Sequence, residues 1–311
     1  MILLRRRTLP ASLATIALLV GCSSSHVQTA REHDEHMGHD DAASAGAGAA
    51  ATHQPTDASL PAGSATVAAR LASSSRHGEY VMVARAPGSP DSVRAWVVYP
   101  ERRDKAPVVV VVHEIFGLST WIRGVADQLA AEGYIAIAPD LISGKYTLAP
   151  GDTITQAQAS ALIRTLVADS VQRDIARVAE YAMALPSAQQ KFGVVGFCWG
   201  GSTSFATAVQ AHPRLRASVV YYGGAPALAG LSSVRAPVLG LYGENDARVN
   251  ATIAGADSTM KALKKSFEPV ILAGAGHGFL RQQDGQNGAN LAATRAAWPR
   301  TVAFFQRALG R

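Results

Sequence analysis

Of the two cysteines in this 311-residue chain, Cys22 and Cys198, the second lies where it can act as a nucleophile. It sits in Gly196-Phe197-Cys198-Trp199-Gly200-Gly201, after an apolar run and at the start of helical spacing. A strand that turns sharply into a helix exposes the residue at the turn, and the strain there demands small neighbours. Gly196 and Gly200 meet that demand. The helix N-terminus favours a thiolate, and the backbone N–H of Trp199 can donate to a developing oxyanion. Two partners follow in the order nucleophile, acid, base. Asp246 closes Leu241-Tyr242-Gly243-Glu244-Asn245-Asp246 after one predicted strand, and His277 lies in Gly274-Ala275-Gly276-His277-Gly278-Phe279 after the next. His277 would move protons while Asp246 orients its ring. Alone, each residue has a plain structural explanation: a buried thiol, a turn Asp, a loop His. In this order and on these loops they point together to acyl-transfer chemistry. Glu244, near the same loop, competes with Asp246 for the acid role.

His113-Glu114-Ile115-Phe116-Gly117 reaches the same edge from another strand. The N–H of Ile115 is a candidate second oxyanion donor. Glu114 is either a buried carboxylate with a role in the reaction or a helix-proximal surface group.

The elements that must carry these residues alternate between strand and helix. Val108 to Val112 is a continuous apolar run, suited to a strand buried on both faces of a parallel sheet. Strands are predicted at 80–85, 93–99, 107–113, 134–138, 192–197, 217–222, 238–242 and 268–272. Helices are predicted at 120–132, 171–185, from 199, around 252–264 and from 291 to 309. Pro87-Gly88-Ser89-Pro90 marks the first turn. The class implied is α/β, with a mostly parallel sheet and helices on both faces.

The first 75 residues read differently. Met1 to Arg7 is short and positive, and Leu9 to Val20 is apolar apart from Ser12 and Thr15, the layout of a secretory signal. Leu19-Val20-Gly21-Cys22 resembles the lipobox of bacterial lipoproteins. That resemblance implies a signal peptide over 1–21, cleavage before Cys22 and acylation of its sulfur. Ser23 then favours the periplasmic face of the outer membrane, by analogy with Gram-negative lipoproteins, and the arginine-rich start hints at twin-arginine export. Each cysteine thus has its own explanation, which argues against a disulfide. Residues 22–75 are rich in Ala, Ser, Gly and Thr without apolar periodicity, and a disordered tether is expected. It contains His26, His33, His36, His39 and His53. The spacing of His33, His36 and His39 allows a transient metal site, and a solvated polar tether is the plainer alternative. Net charge is +6, of which Arg5, Arg6 and Arg7 supply half. No basic stripe interleaved with aromatics is present, which argues against nucleic acid.

From about Tyr80 to the end, the chain resembles the dienelactone hydrolase family of the α/β-hydrolase fold. His113 to Gly117, Ala138-Pro139-Asp140-Leu141, Gly196 to Gly201, Tyr221-Tyr222-Gly223, Asp246 and His277-Gly278-Phe279 carry the resemblance. It implies a folded domain over 76–311 and attack of Cys198 on a lactone or ester carbonyl, with no cofactor. It implies that Glu114 contacts the cysteine and couples substrate binding to thiolate formation. By the same resemblance Arg281 holds a substrate carboxylate and Tyr221 lines the site, with Phe116 as a further substrate contact. One departure is clear. The family's second carboxylate-binding arginine and a following tyrosine fall, by ungapped counting, on Gln156 and Ser160, with Arg164 further on. A monomer acting on a small-molecule ester or lactone is expected. A general carboxylesterase or thioesterase on the same triad is the alternative, as is a non-catalytic envelope lipoprotein that binds metal through its tether. No long peptide groove is marked, which argues against a peptidase.

Overall fold

The computed structural model describes residues 57–147 and 153–310. The expected signal peptide, Cys22 and His33, His36 and His39 lie outside the described residues. Eight strands form one sheet: β1 (Gly78–Ala84), β2 (Ser92–Val98), β3 (Ala106–Val112), β4 (Ile135–Pro139), β5 (Ala188–Phe197), β6 (Leu215–Tyr221), β7 (Val238–Asn245) and β8 (Phe267–Gly276). The helices are α1 (Val67–Ala72), α2 (Thr120–Ala131), α3 (Gln156–Ile163), α4 (Ala168–Ala184), α5 (Trp199–Val209), α6 (Ala247–Asn250), α7 (Ile253–Ala262) and α8 (Ala289–Leu309). The sheet order is β1-β2-β4-β3-β5-β6-β7-β8. β2 is antiparallel to both its neighbours, and every pairing from β4 through to β8 is parallel.

All seven residues of β3 are buried, as its valine run requires of a central parallel strand. Side chains alternate across the sheet. Val109 and Val111 join a core formed with α2 and α8, while Val108, Val110 and Val112 join a core formed with α4, α5 and α7. Both faces are therefore covered, as the alternating pattern implies. Gly193 in β5 leaves room for Phe305 of α8, since a Cβ there would lie 2.6 Å from the ring.

Register places the site. Val112 of β3 aligns with Gly196 of β5, Phe197 with Tyr221 of β6, and Tyr221 with Leu241 of β7. Glu114, Cys198, Tyr222 and Asp246 thus follow the carboxyl ends of four adjacent parallel strands, the edge where ligands bind in such sheets. β8 pairs with β7 and adds His277 at the same edge.

The boundary expected at residue 76 needs correction. Leu60, Ala62 and Val67 are buried in the α2/α8 core. The Trp121 indole donates to the Ala62 carbonyl at 3.1 Å. Residues 57–75 thus belong to the folded body. Their apolar cover comes from partners far along the chain, which local composition does not reveal. α3 was likewise not anticipated: it is short, and a capping box of Thr155 and Gln158 starts it.

Phe305 is fully buried and packs against Tyr134 at 5.9 Å between ring centres. Phe305→Ala should cost about 3–5 kcal/mol of unfolding free energy, read from the shift of a urea denaturation midpoint.

Candidate active site

Cys198 stands at the N-cap of α5 with φ 56° and ψ −119°, a conformation L-residues rarely adopt. The turn is forced by close packing. A Cβ on Gly196 would collide with the Gly200 carbonyl, and one on Gly200 with the carbonyls of Val112 and His113. Gly201 meets the Tyr221 carbonyl in the same way, and Gly223 meets the backbone of Gly201 and Ser202. The start of α5 is thereby wedged between the ends of β3 and β6, and Cys198 is left partly exposed. The first intrahelical bond, from the Ser202 N–H to the Cys198 carbonyl, leaves the Trp199 N–H without a helical partner.

The second expected donor is set by His113. This ring is fully buried, and burial lowers its pKa. Its Nε2 accepts from the Leu141 N–H at 3.2 Å, so the remaining proton is on Nδ1 and is donated to the Glu114 carbonyl at 2.7 Å. The Gly117 N–H bonds the same carbonyl at 3.2 Å. A planar trans peptide directs its N–H opposite to its carbonyl, so the Ile115 N–H faces away from His113. Trp199 stacks on His113 at 5.5 Å and ties the two donor turns together.

His277 Nδ1 lies 2.6 Å from Asp246 Oδ2. Asp246 is buried, and its other oxygen accepts from the Val249 N–H at the start of α6. Glu244 is occupied elsewhere, accepting from the Gly274 N–H at 2.8 Å, so the geometry selects Asp246 as the partner of His277. Burial alone would lower the His277 pKa. Hydrogen bonds to Asp246 and Cys198, and the negative charge of both, outweigh it and raise the value from 6.5 to about 10. The side chain is 36% exposed, so solvent screens part of this effect.

Glu114 is buried and forms an ion pair with Arg281, Nε to Oε2, at 3.1 Å. The Arg281 guanidinium also lies 4.8 Å from the centre of the Phe116 ring. Glu114, Phe116 and Arg281 thus meet as one group. Tyr221 does not belong to it. It ends β6 within the core, and its hydroxyl meets Thr301 of α8 at 2.7 Å. The expectation for Tyr221 is corrected to its neighbour. Tyr222 leaves the strand with φ 40° and packs its ring 5.1 Å from His277. Its hydroxyl is buried without a hydrogen-bond partner among the described residues. Burial, with Glu114 next, pushes its pKa well above 10. The doubled tyrosine was the available signal, since the residue just past a parallel strand reaches the edge while the last strand residue stays in the sheet.

α3 covers the other side. The Ser160 hydroxyl donates to the Ile115 carbonyl at 3.1 Å, and Ala159 and Ile163 pack with Ile142, Ile115 and Trp199. Gln156 and Arg164 are exposed on this helix. Among the described residues, α3 brings no arginine to Ile115. No cluster of three or more metal-ligating side chains occurs among the described residues.

A mainly parallel sheet with this order and a strained cysteine turn after β5 defines an α/β-hydrolase fold. The dienelactone hydrolase family model matches residues 93–309, and the chain belongs to that family. A protein of Salmonella typhimurium, provisionally named a carboxymethylenebutenolidase, is 32% identical over 241 residues, covering 72% of this chain and 86% of that protein. The carboxymethylenebutenolidase of Rhodococcus opacus is 30% identical over 213 residues, covering 65% of this chain and 81% of that one. The crystal structure of a provisionally named dienelactone hydrolase from Klebsiella pneumoniae matches with a TM-score of 0.64 at 26% identity, covering 75% of this chain and 99% of that chain.

Because folding raises the His277 pKa from 6.5 to about 10, its contribution to stability is full below pH 6.5 and is lost as pH rises toward about 10. Asp246→Asn should move the His277 titration back toward 6.5, followed through its imidazole proton resonances, and flatten that alkaline loss of stability.

Proposed function

We propose that this protein hydrolyses a small ester or lactone through an acyl-enzyme on Cys198. The Cys198 thiolate attacks the carbonyl carbon and forms a C–S bond, and the oxyanion is held by the Ile115 and Trp199 N–H groups. Collapse breaks the C–O bond, and the His277 imidazolium gives its proton to the departing alkoxide. His277 then takes a proton from water, whose oxygen attacks the thioester and releases Cys198. Asp246 keeps the ring oriented and stabilises its charged form. The observation that carries this reading is the 2.6 Å contact of His277 with Asp246 on the loop beside the strained Cys198 turn.

The substrate is a compact molecule with a carboxylate facing Arg281 and an apolar portion against Ile115, Phe116 and Trp199. The Tyr222 hydroxyl, which has no hydrogen-bond partner among the described residues, would donate to it. Glu114, paired with Arg281, links arrival of that carboxylate to the state of the thiol. With Arg281 as the one arginine brought to this group among the described residues, selection for the carboxylate is weaker than a paired site would give.

The test is hydrolysis of p-nitrophenyl acetate and p-nitrophenyl hemisuccinate by the full chain. Both should be turned over, with Cys198→Ala reducing kcat/KM by about 10³-fold or more. Turnover that survives in Cys198→Ala would place the chemistry elsewhere.

We also propose that Cys22 is acylated and anchors the protein at the periplasmic face of the outer membrane, as the lipobox resemblance implies. Metabolic labelling with an alkyne fatty acid should mark the wild type and not Cys22→Ala. Equal labelling of both would refute the anchor.

A further inference from the structure

Residues 57–76 precede the stretch matched by the family, and they are bound to the loop that carries Arg281. The Ser64 N–H donates to the Arg281 carbonyl at 2.8 Å. Two residues on, the Gln283 side chain donates to the Pro61 carbonyl at 2.8 Å. Between these two contacts stands Gly63, where a Cβ would lie 3.2 Å from the Arg281 carbonyl. The other side of the strap is fixed to α2. Trp121 donates to the Ala62 carbonyl at 3.1 Å, the Gln128 side chain donates to the Ala58 carbonyl at 3.3 Å, and Val67 packs into the space left by Gly124. Its far end is clamped by Arg76, which meets Asp127 at 2.7 Å.

Arg281 sits four residues after His277, and its own N–H bonds back to the Gly278 carbonyl at 2.9 Å. That turn fixes the amide side of Arg281, and the strap fixes the carbonyl side. The Arg281 side chain is only 16% exposed, and its guanidinium is thereby held against Glu114 and over Phe116. A long side chain reaching into a site loses its aim quickly when its backbone shifts, and positioning errors of about 1 Å are costly in binding sites.

We infer that the segment Pro61–Ser64 is a positioning element for Arg281, and that it sets how strongly the site selects ligands bearing a carboxylate. This rests on the reading that Arg281 receives the substrate carboxylate. Ser64 and Gln283 act through Arg281 and touch no substrate.

The experiment uses alkylation of Cys198 in the full chain, because it needs no turnover. Rates with iodoacetate, which carries a carboxylate, and with neutral iodoacetamide are read by mass spectrometry of the Cys198 peptide. Their ratio reports the carboxylate contact, and a merely structural loosening would change both rates alike. Ser64→Pro removes the N–H donor and should lower the ratio by about threefold to tenfold, the range of one ordinary hydrogen bond's net contribution. Ser64→Ala keeps the N–H and should match the wild type. If Ser64→Pro does not fold, Gln283→Ala takes its place with the same expected direction. Arg281→Gln sets the full effect. An unchanged ratio in folded Ser64→Pro or Gln283→Ala overturns the inference, as does an Arg281→Gln ratio equal to that of the wild type. Wild-type protein that hydrolyses no ester would count against the hydrolase reading alone and leave the alkylation ratios interpretable.

Discussion

The site depends on one close approach of backbone to backbone. The first turn of α5 presses against the carboxyl ends of β3 and β6, with glycines at 196, 200, 201 and 223 where any Cβ would collide with main-chain atoms. This contact holds Cys198 at φ 56°, a conformation that costs about 1–3 kcal/mol and persists only where its surroundings over-determine it. The surroundings here are two hydrophobic cores, one on each face of the sheet, joined through a β3 that is buried throughout. The same wedge brings the Trp199 N–H and the His113–Glu114 turn side by side. A side chain at any of the four glycines would disturb the strained thiol and the donor turns at once.

Much of this was legible in the sequence because the constraint acts on local types. A valine run, a glycine-flanked cysteine, and an acid and a histidine each placed just past an apolar strand are short-range signals. Strand order is not needed to read them, since all parallel strands end at one edge. Asp246 is the acid that its place just past β7 favours over Glu244, which still lies in the strand, and the hydrogen bonds of the two separate them in the same way. Tyr221 and Tyr222 are hard to tell apart from residue type. They are adjacent, and which one leaves the sheet depends on a backbone reversal at Tyr222 that neither residue type announces.

The strap over residues 57–76 escaped for the opposite reason. Its composition resembles that of the preceding tether, and it is held by Trp121, Gln128 and Gln283, partners dozens to hundreds of residues away. Low local hydrophobicity sufficed here because α2 and the loop after β8 supply the cover. α3 was missed because it is short and weakly amphipathic, although it forms the apolar wall beside Ile115 and Trp199. Together these two segments give the site its individual character. One holds the backbone of Arg281 from outside, and the other presents Ser160, Ala159 and Ile163 beside Ile115.

The most direct test of the account is intact-mass analysis of His277→Ala after brief exposure to p-nitrophenyl acetate. Loss of the base that activates water should slow deacylation more than attack by a cysteine that is already a good nucleophile. A single added acetyl group is expected, mapped to Cys198 and absent from Cys198→Ala. An unmodified Cys198 with continuing release of p-nitrophenol would contradict covalent catalysis at this residue.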